Sequence, residues 1–273
     1  MKKHLSTVIF ILIFLTGLSL LLYPSVSDYY NSLHQSRAIA AYSADVAGLN
    51  DEQYEALWQE TVHYNTELAS TGNIWNLSDE QLEEYRNTLN IDSSGIMSYI
   101  EIPRINCSLA IYHGTDDGVL QTGVGHIEGS SMPVGGESTH CVLSGHRGLP
   151  SAKLFTDLDK LTLGDRFLIR TLDEILTYEV DQILIVLPYE VDALKIENGK
   201  DLCTLVTCTP YGVNSHRMLV RGHRVENQEE TKAVRVTADA MQIEPMIVAP
   251  IVAVPMLLLL LIWVLVSSRK RKK

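Results

Sequence analysis

DLCTLVTCTPYGVNSHRMLVRGHR, residues 201 to 224, alternates small or apolar residues with polar ones on both sides of a Pro-Tyr-Gly turn. That period of two is the mark of a β-strand, and two such runs around a turn read as a strand pair. Alternation puts Leu202, Thr204, Val206 and Cys208 on one face of the first run. Pro210 cannot donate to a central ladder, so the first strand ends beside Cys208. A thiol there is held by the strand yet reachable at the turn, as a nucleophile requires. The other reading is a buried strand with an incidental cysteine. Arg217 opens the second run, and a hairpin-like return brings it beside Cys208; Arg221 shares its face but lies farther from the turn.

Working outward, the runs MSYIEIP (97–103), CSLAIY (107–112), HCVLSGH (140–146), RFLIRT (166–171) and ILTYEVDQILIVLP (175–188) are also strand-like, rich in Val, Ile, Thr and Tyr and punctuated by Gly and Pro. With LCTLVTC and RMLVRGH, that makes about seven strands and predicts an antiparallel barrel or sandwich. SAKLFTDLDKL (151–161) predicts a short helix. Residues 28–70 read as helix, with Asn50 a cap before the acidic turn of LNDEQYEAL. A break follows at TGNIWN (71–76), and Ser78 with Gln81 forms a capping-box pair that restarts a helix.

The ends differ from the middle. Residues 5–23 and 246–266 are almost wholly apolar, each close to the roughly 20 residues a bilayer-spanning helix needs. Lys2 and Lys3 flank the first run, and Arg269 to Lys273 follow the second. Basic flanks stay cytoplasmic, so both termini are expected inside and the middle outside the cell membrane. A cleaved signal peptide is the alternative for the first run, and it leaves that placement unchanged. Between the runs lie 33 acidic and 15 basic residues, about −18. Such a surface repels phosphate backbones and argues against a nucleic-acid partner.

A thiol needs a base or cation nearby to ionise. His146 ends its strand before a glycine turn, as Cys208 does before a proline, whereas His140 lies nearer the strand's start. Cys208, His146 and Arg217 thus form a candidate nucleophile, acid/base and charge stabiliser. A zinc site from Cys203, Cys208, His216 and His223 is disfavoured, because Cys203 and Cys208 face opposite sides of one strand. A disulfide among Cys107, Cys141 and Cys203 stays open.

TLVTCTPYGVNSHRMLVRGHR together with VGHIEGSSMPVGGESTHCVLSGHRGLPSAKLFTDLDKL resembles the sortases, specifically the class C, pilin-polymerising sortases, over about residues 97–224. The resemblance implies an eight-stranded sortase β-barrel at 97–225. An N-terminal helical segment at 24–96 precedes it, and spans at 5–23 and 246–266 flank it. A cytoplasmic tail at 1–4, a tether at 226–245 and a basic tail at 267–273 complete the layout. It further implies a cysteine transpeptidase of a Gram-positive cell membrane, with Cys208, His146 and Arg217 catalytic and no cofactor or metal. The implied partners are pilin or surface proteins with C-terminal LPxTG-like sorting signals, an acceptor lysine on a pilin subunit, and the lipid bilayer. Class C enzymes usually carry an Asp-Pro-aromatic lid whose Asp meets the catalytic Arg. Here residues 71–79 read TGNIWNLSD. Trp75 is the candidate cover, with Asn73, Asn76 or Asp79 in place of the Asp. The alternatives are a sortase attaching proteins to peptidoglycan and a non-enzymatic tethered barrel.

Overall fold

A computed structural model describes residues 2–227 apart from 74 and 93. The expected span 246–266, basic tail 267–273 and nearly all of the tether 226–245 lie outside the described residues.

Eight strands close a barrel in the order β1-β2-β3-β4-β7-β8-β6-β5. They are β1 (Ile96–Ile102), β2 (Cys107–His113), β3 (Val124–His126), β4 (Thr139–Ser144), β5 (Arg166–Thr171), β6 (Glu174–Val186), β7 (Asp201–Thr209) and β8 (His216–Val225). Seven coincide with the alternating runs in the sequence. The eighth, β3, spans three residues, too few for alternation to register. Its middle residue is Gly125 because the backbone carbonyl of Gly114 occupies the space a Cβ would need. Closure excludes the sandwich. The purely antiparallel arrangement is also corrected: β2 pairs β3 and β4 pairs β7 in parallel. Both are crossovers, the first through a short helix α4 (Asp117–Thr122) and the second through β5 and β6.

Inside the closed sheet Ile100, Ile111, Leu143, Phe155, Phe167, Tyr178, Leu205 and Val220 are buried. Each such side chain contributes roughly 1.5–3 kcal/mol on leaving water. Cys141 and Cys203 are direct partners across the β4–β7 ladder and are buried in this core. All four cysteines are free thiols. The segment 151–161 yields only a 3-10 turn at Leu158–Lys160 rather than a helix. Leu154, at φ +38°, departs from helical geometry at its middle.

Three helices precede the barrel. The first, α1 (Lys2–Ala47), runs unbroken through Pro24, so the apolar run and the start of the expected helical segment form one element. A proline removes one internal hydrogen bond without ending a helix this long. Its first half exposes Phe10, Leu12, Ile13 and Leu20, and its second half docks on the barrel. There Gln35 donates to Thr122 O and accepts from Ala110 N, while the Tyr42 hydroxyl donates to Met97 O and accepts from Leu172 N. The break at Gly48–Asn50 divides the expected 28–70 helix, and α2 (Asp51–Thr71) starts on a capping box of Asn50 and Gln53. Helix α3 (Asp79–Asn87) starts on the Ser78–Gln81 box.

Candidate active site

Strands β4, β7 and β8 lie side by side, and their registers place the candidate residues at one end of the sheet. Cys208 on β7 is the cross-strand partner of Arg217 on β8. On the other side of β7, Ser144 pairs with Val206 at the end of the parallel β4 ladder. Gly145 N donates to Val206 O at 3.0 Å, and the Thr207 hydroxyl donates to Gly145 O at 2.7 Å. His146 follows Gly145, two residues beyond the last ladder pair. Cys208, His146 and Arg217 are each half-buried. Thr209–Pro210 is a cis peptide.

Alternation assigns these residues to the outer face of the barrel. Val142, Val206 and Leu219, two to four residues away on the same three strands, form a small apolar cluster there with Leu194. Cys203 points instead into the core, so it and Cys208 do not share a ligand sphere. His140 lies deeper on the outer face, fully buried. Its Nδ1–H donates to Lys195 O at 2.8 Å, and its Nε2 meets the Thr204 hydroxyl at 2.7 Å. Burial lowers its basicity despite the Lys195 hydrogen bond. His140 is a structural imidazole with both nitrogens occupied. Cys107 is equally inert: burial pushes its thiol up to about 12.

Two glycines shape the turn that carries His146. At Gly145 a Cβ would lie 2.5 Å from the Phe155 ring, so only hydrogen fits. Gly148 sits at φ +77°, where a side chain is strained. The sequence SGHRG thus reads as an imidazole on a turn pressed onto Phe155. The Arg217 guanidinium donates through Nη1 to Asn214 O and His216 O, and makes no ion pair among the described residues.

Trp75 packs against the Val142–Leu194–Val206–Leu219 cluster, beside Val191 and Ala193 of the β6–β7 connection. Asn73 holds this segment through two bonds to the same connection. Its amide nitrogen donates to Leu194 O at 3.3 Å, and its oxygen accepts from Ile196 N at 2.9 Å. The Asp-to-Arg role considered for Asn73, Asn76 or Asp79 is corrected. Asn73 pairs with backbone, Asn76 is exposed, and Asp79 sits in the first turn of α3. The 194–196 partner lies more than a hundred residues away, where no local pattern can reveal it.

The sortase domain model matches residues 100–225. The crystal structure of sortase C1 from Streptococcus agalactiae is 50% identical, with a TM-score of 0.69, over 70% of this chain and 100% of that one. The chain belongs to the sortase family. Its members are cysteine transpeptidases, and the class C enzymes are its structural neighbours. The Streptococcus pneumoniae sortase C structure, described for its catalysis and pilin substrate specificity, is 40% identical with a TM-score of 0.63, over 70% of this chain and 97% of that one. Sortase D of Bacillus subtilis is 34% identical over 136 residues, 49% of this chain. The aligned stretch spans 64% of that relative's length.

Proposed function

We propose that this sortase is a membrane-anchored pilin polymerase that uses Cys208, His146 and Arg217. The observation that supports the reading is the side-by-side order of β4, β7 and β8, which pairs Cys208 with Arg217 and ends β4 two residues before His146, beside an apolar floor on the outer face against which Trp75 packs. An extended sorting peptide lies on that floor. The Cys208 thiolate attacks the Thr carbonyl carbon of an LPxTG-like signal. Arg217 stabilises the oxyanion, and His146 protonates the departing glycine amine as the C–N bond breaks and the C–S bond forms. A lysine amine of the next pilin subunit then displaces the thiolate, restoring a C–N bond as an isopeptide. The free energy of the cleaved peptide bond is conserved in the thioester, and His146 takes up the proton that the attacking amine releases.

The anchor is the apolar half of α1, whose mean hydropathy reaches 2.2 in a window with no residue buried in the protein. The basic flanks of both apolar runs support cytoplasmic termini. The test is incubation of the full-length enzyme in detergent with pilins bearing sorting signals. An SDS-resistant ladder is expected. Monomer joined only to cell-wall amines would instead favour peptidoglycan attachment.

Trp75 serves as a lid over this site, held by apolar contact and by the neutral Asn73 latch rather than by an ion pair to Arg217. Trp75→Ala removes roughly 1.4 kcal/mol of apolar burial, so alkylation of Cys208 is expected to quicken about 10-fold. Asn73→Ala acts in the same direction, and neither effect depends on salt. An unchanged labelling rate in Trp75→Ala would show that the segment is no lid.

A further inference from the structure

The β4–β7 ladder ends at Gly145, so the turn that carries His146 is held by other contacts. Most come from the chain just downstream. His146 O accepts from Phe155 N at 3.1 Å, Gly148 N donates to the Thr156 hydroxyl at 3.0 Å, and Arg147 pairs with Asp159. One comes from the opposite side of the site. Tyr211, three residues after Cys208 on the β7–β8 turn, lays its ring against Gly148. A Cβ at that glycine would lie 2.8 Å from Tyr211 Cε2 and 3.0 Å from Cζ. The Arg147 guanidinium lies 6.0 Å from the centre of the same ring, within cation–π range. Among the described residues the Tyr211 hydroxyl makes no hydrogen bond, and the residue is 61% exposed. Its contribution is therefore the ring face, placed on Gly148, which has no side chain to repel it.

We propose that Tyr211 is a positioning residue: it clasps the His146 turn from the Cys208 side and keeps imidazole and sulfur in register. This rests on the assignment of Cys208 and His146 as the reacting pair. Misplacement of a catalytic group by about 1 Å costs as much as 10²-fold in rate, whereas ground-state binding of the peptide does not require the imidazole. Loss of the clasp therefore acts on kcat rather than KM.

The experiment compares full-length wild type, Tyr211→Ala, Tyr211→Phe and Cys208→Ala in detergent, with a fluorogenic peptide bearing an LPxTG-type signal. Tyr211→Ala is expected to lower kcat about 10-fold, with KM within about twofold and an unchanged thermal midpoint. Tyr211→Phe is expected to restore wild-type kcat, since it keeps the ring and drops only the unpartnered hydroxyl. Wild-type kcat in Tyr211→Ala, or a raised KM with kcat intact, overturns the clasp while leaving the reacting pair standing. A lowered thermal midpoint in Tyr211→Ala, or failure of Tyr211→Phe to rescue, also overturns it. Full turnover by Cys208→Ala overturns the underlying assignment instead.

Discussion

Cys208→Ala is expected to abolish polymer formation and peptide cleavage, a loss of at least about 10³-fold, and to leave the fold intact. The size follows from the covalent step. Without the sulfur no thioester forms, and His146 and Arg217 have no intermediate on which to act. The fold tolerates the change because Cys208 is half-buried on the outer face, outside the core that Cys203 and Cys141 help fill. Cys203→Ala therefore provides the contrast. It costs about 1–2 kcal/mol of core packing, and its effect on rate is small. Two measurements decide the matter. Intact-mass spectrometry with a sorting peptide is expected to trap an acyl adduct on wild type and Cys203→Ala but none on Cys208→Ala. Thermal unfolding is expected to separate Cys203→Ala from the other two. An adduct on Cys208→Ala would place the nucleophile elsewhere.

Much of this was legible in the sequence where the relevant physics is local. Alternation marked seven strands, and the Asn50 cap and the Ser78–Gln81 box announced two helix starts that the hydrogen bonds display. The position of Cys208 near a strand end followed from Pro210 two residues on, whereas β4 stops at Ser144, so His146 lies in the turn beyond its strand rather than at the strand's end. What escaped depends on distant chain. β3 is three residues held between β2 and β4, and Gly125 there reports a close approach that no periodicity encodes. The middle of 151–161 has helical composition, yet Leu154 turns it aside so that Phe155 can pack on Gly145. Asn73 is visible in the sequence as part of the lid segment, but its partner at Leu194–Ile196 is set by tertiary packing. In Tyr211 the sequence showed only a turn residue, and its ring contact with Gly148 needed the fold.

Arg217 carries the second large effect. Its backbone is the cross-strand partner of Cys208, and Nη1 is engaged by Asn214 O and His216 O. Those two bonds anchor one side of the planar fork to the β7–β8 turn. Among the described residues Nε and Nη2 make no hydrogen bond, and the proposed mechanism uses them as donors to the substrate oxyanion. Donors held in advance of the reaction are worth about 10²–10³-fold in kcat, so Arg217→Ala is expected to lose that much. Arg217→Lys is expected to recover only a small part. An ammonium is a point charge, and it cannot hold two backbone carbonyls and present a fork at the same time. Because the bonds lost from the protein are to an exposed turn, the thermal midpoint of either variant should stay within a few degrees of wild type. The decisive comparison is the rate of acyl-enzyme formation against the rate of Cys208 alkylation by a small neutral reagent. If Arg217 serves the oxyanion, acylation falls by two to three orders of magnitude while alkylation, which develops no oxyanion, changes far less. Equal losses in both would mean that Arg217 acts on the thiol itself, and the oxyanion role would have to be abandoned.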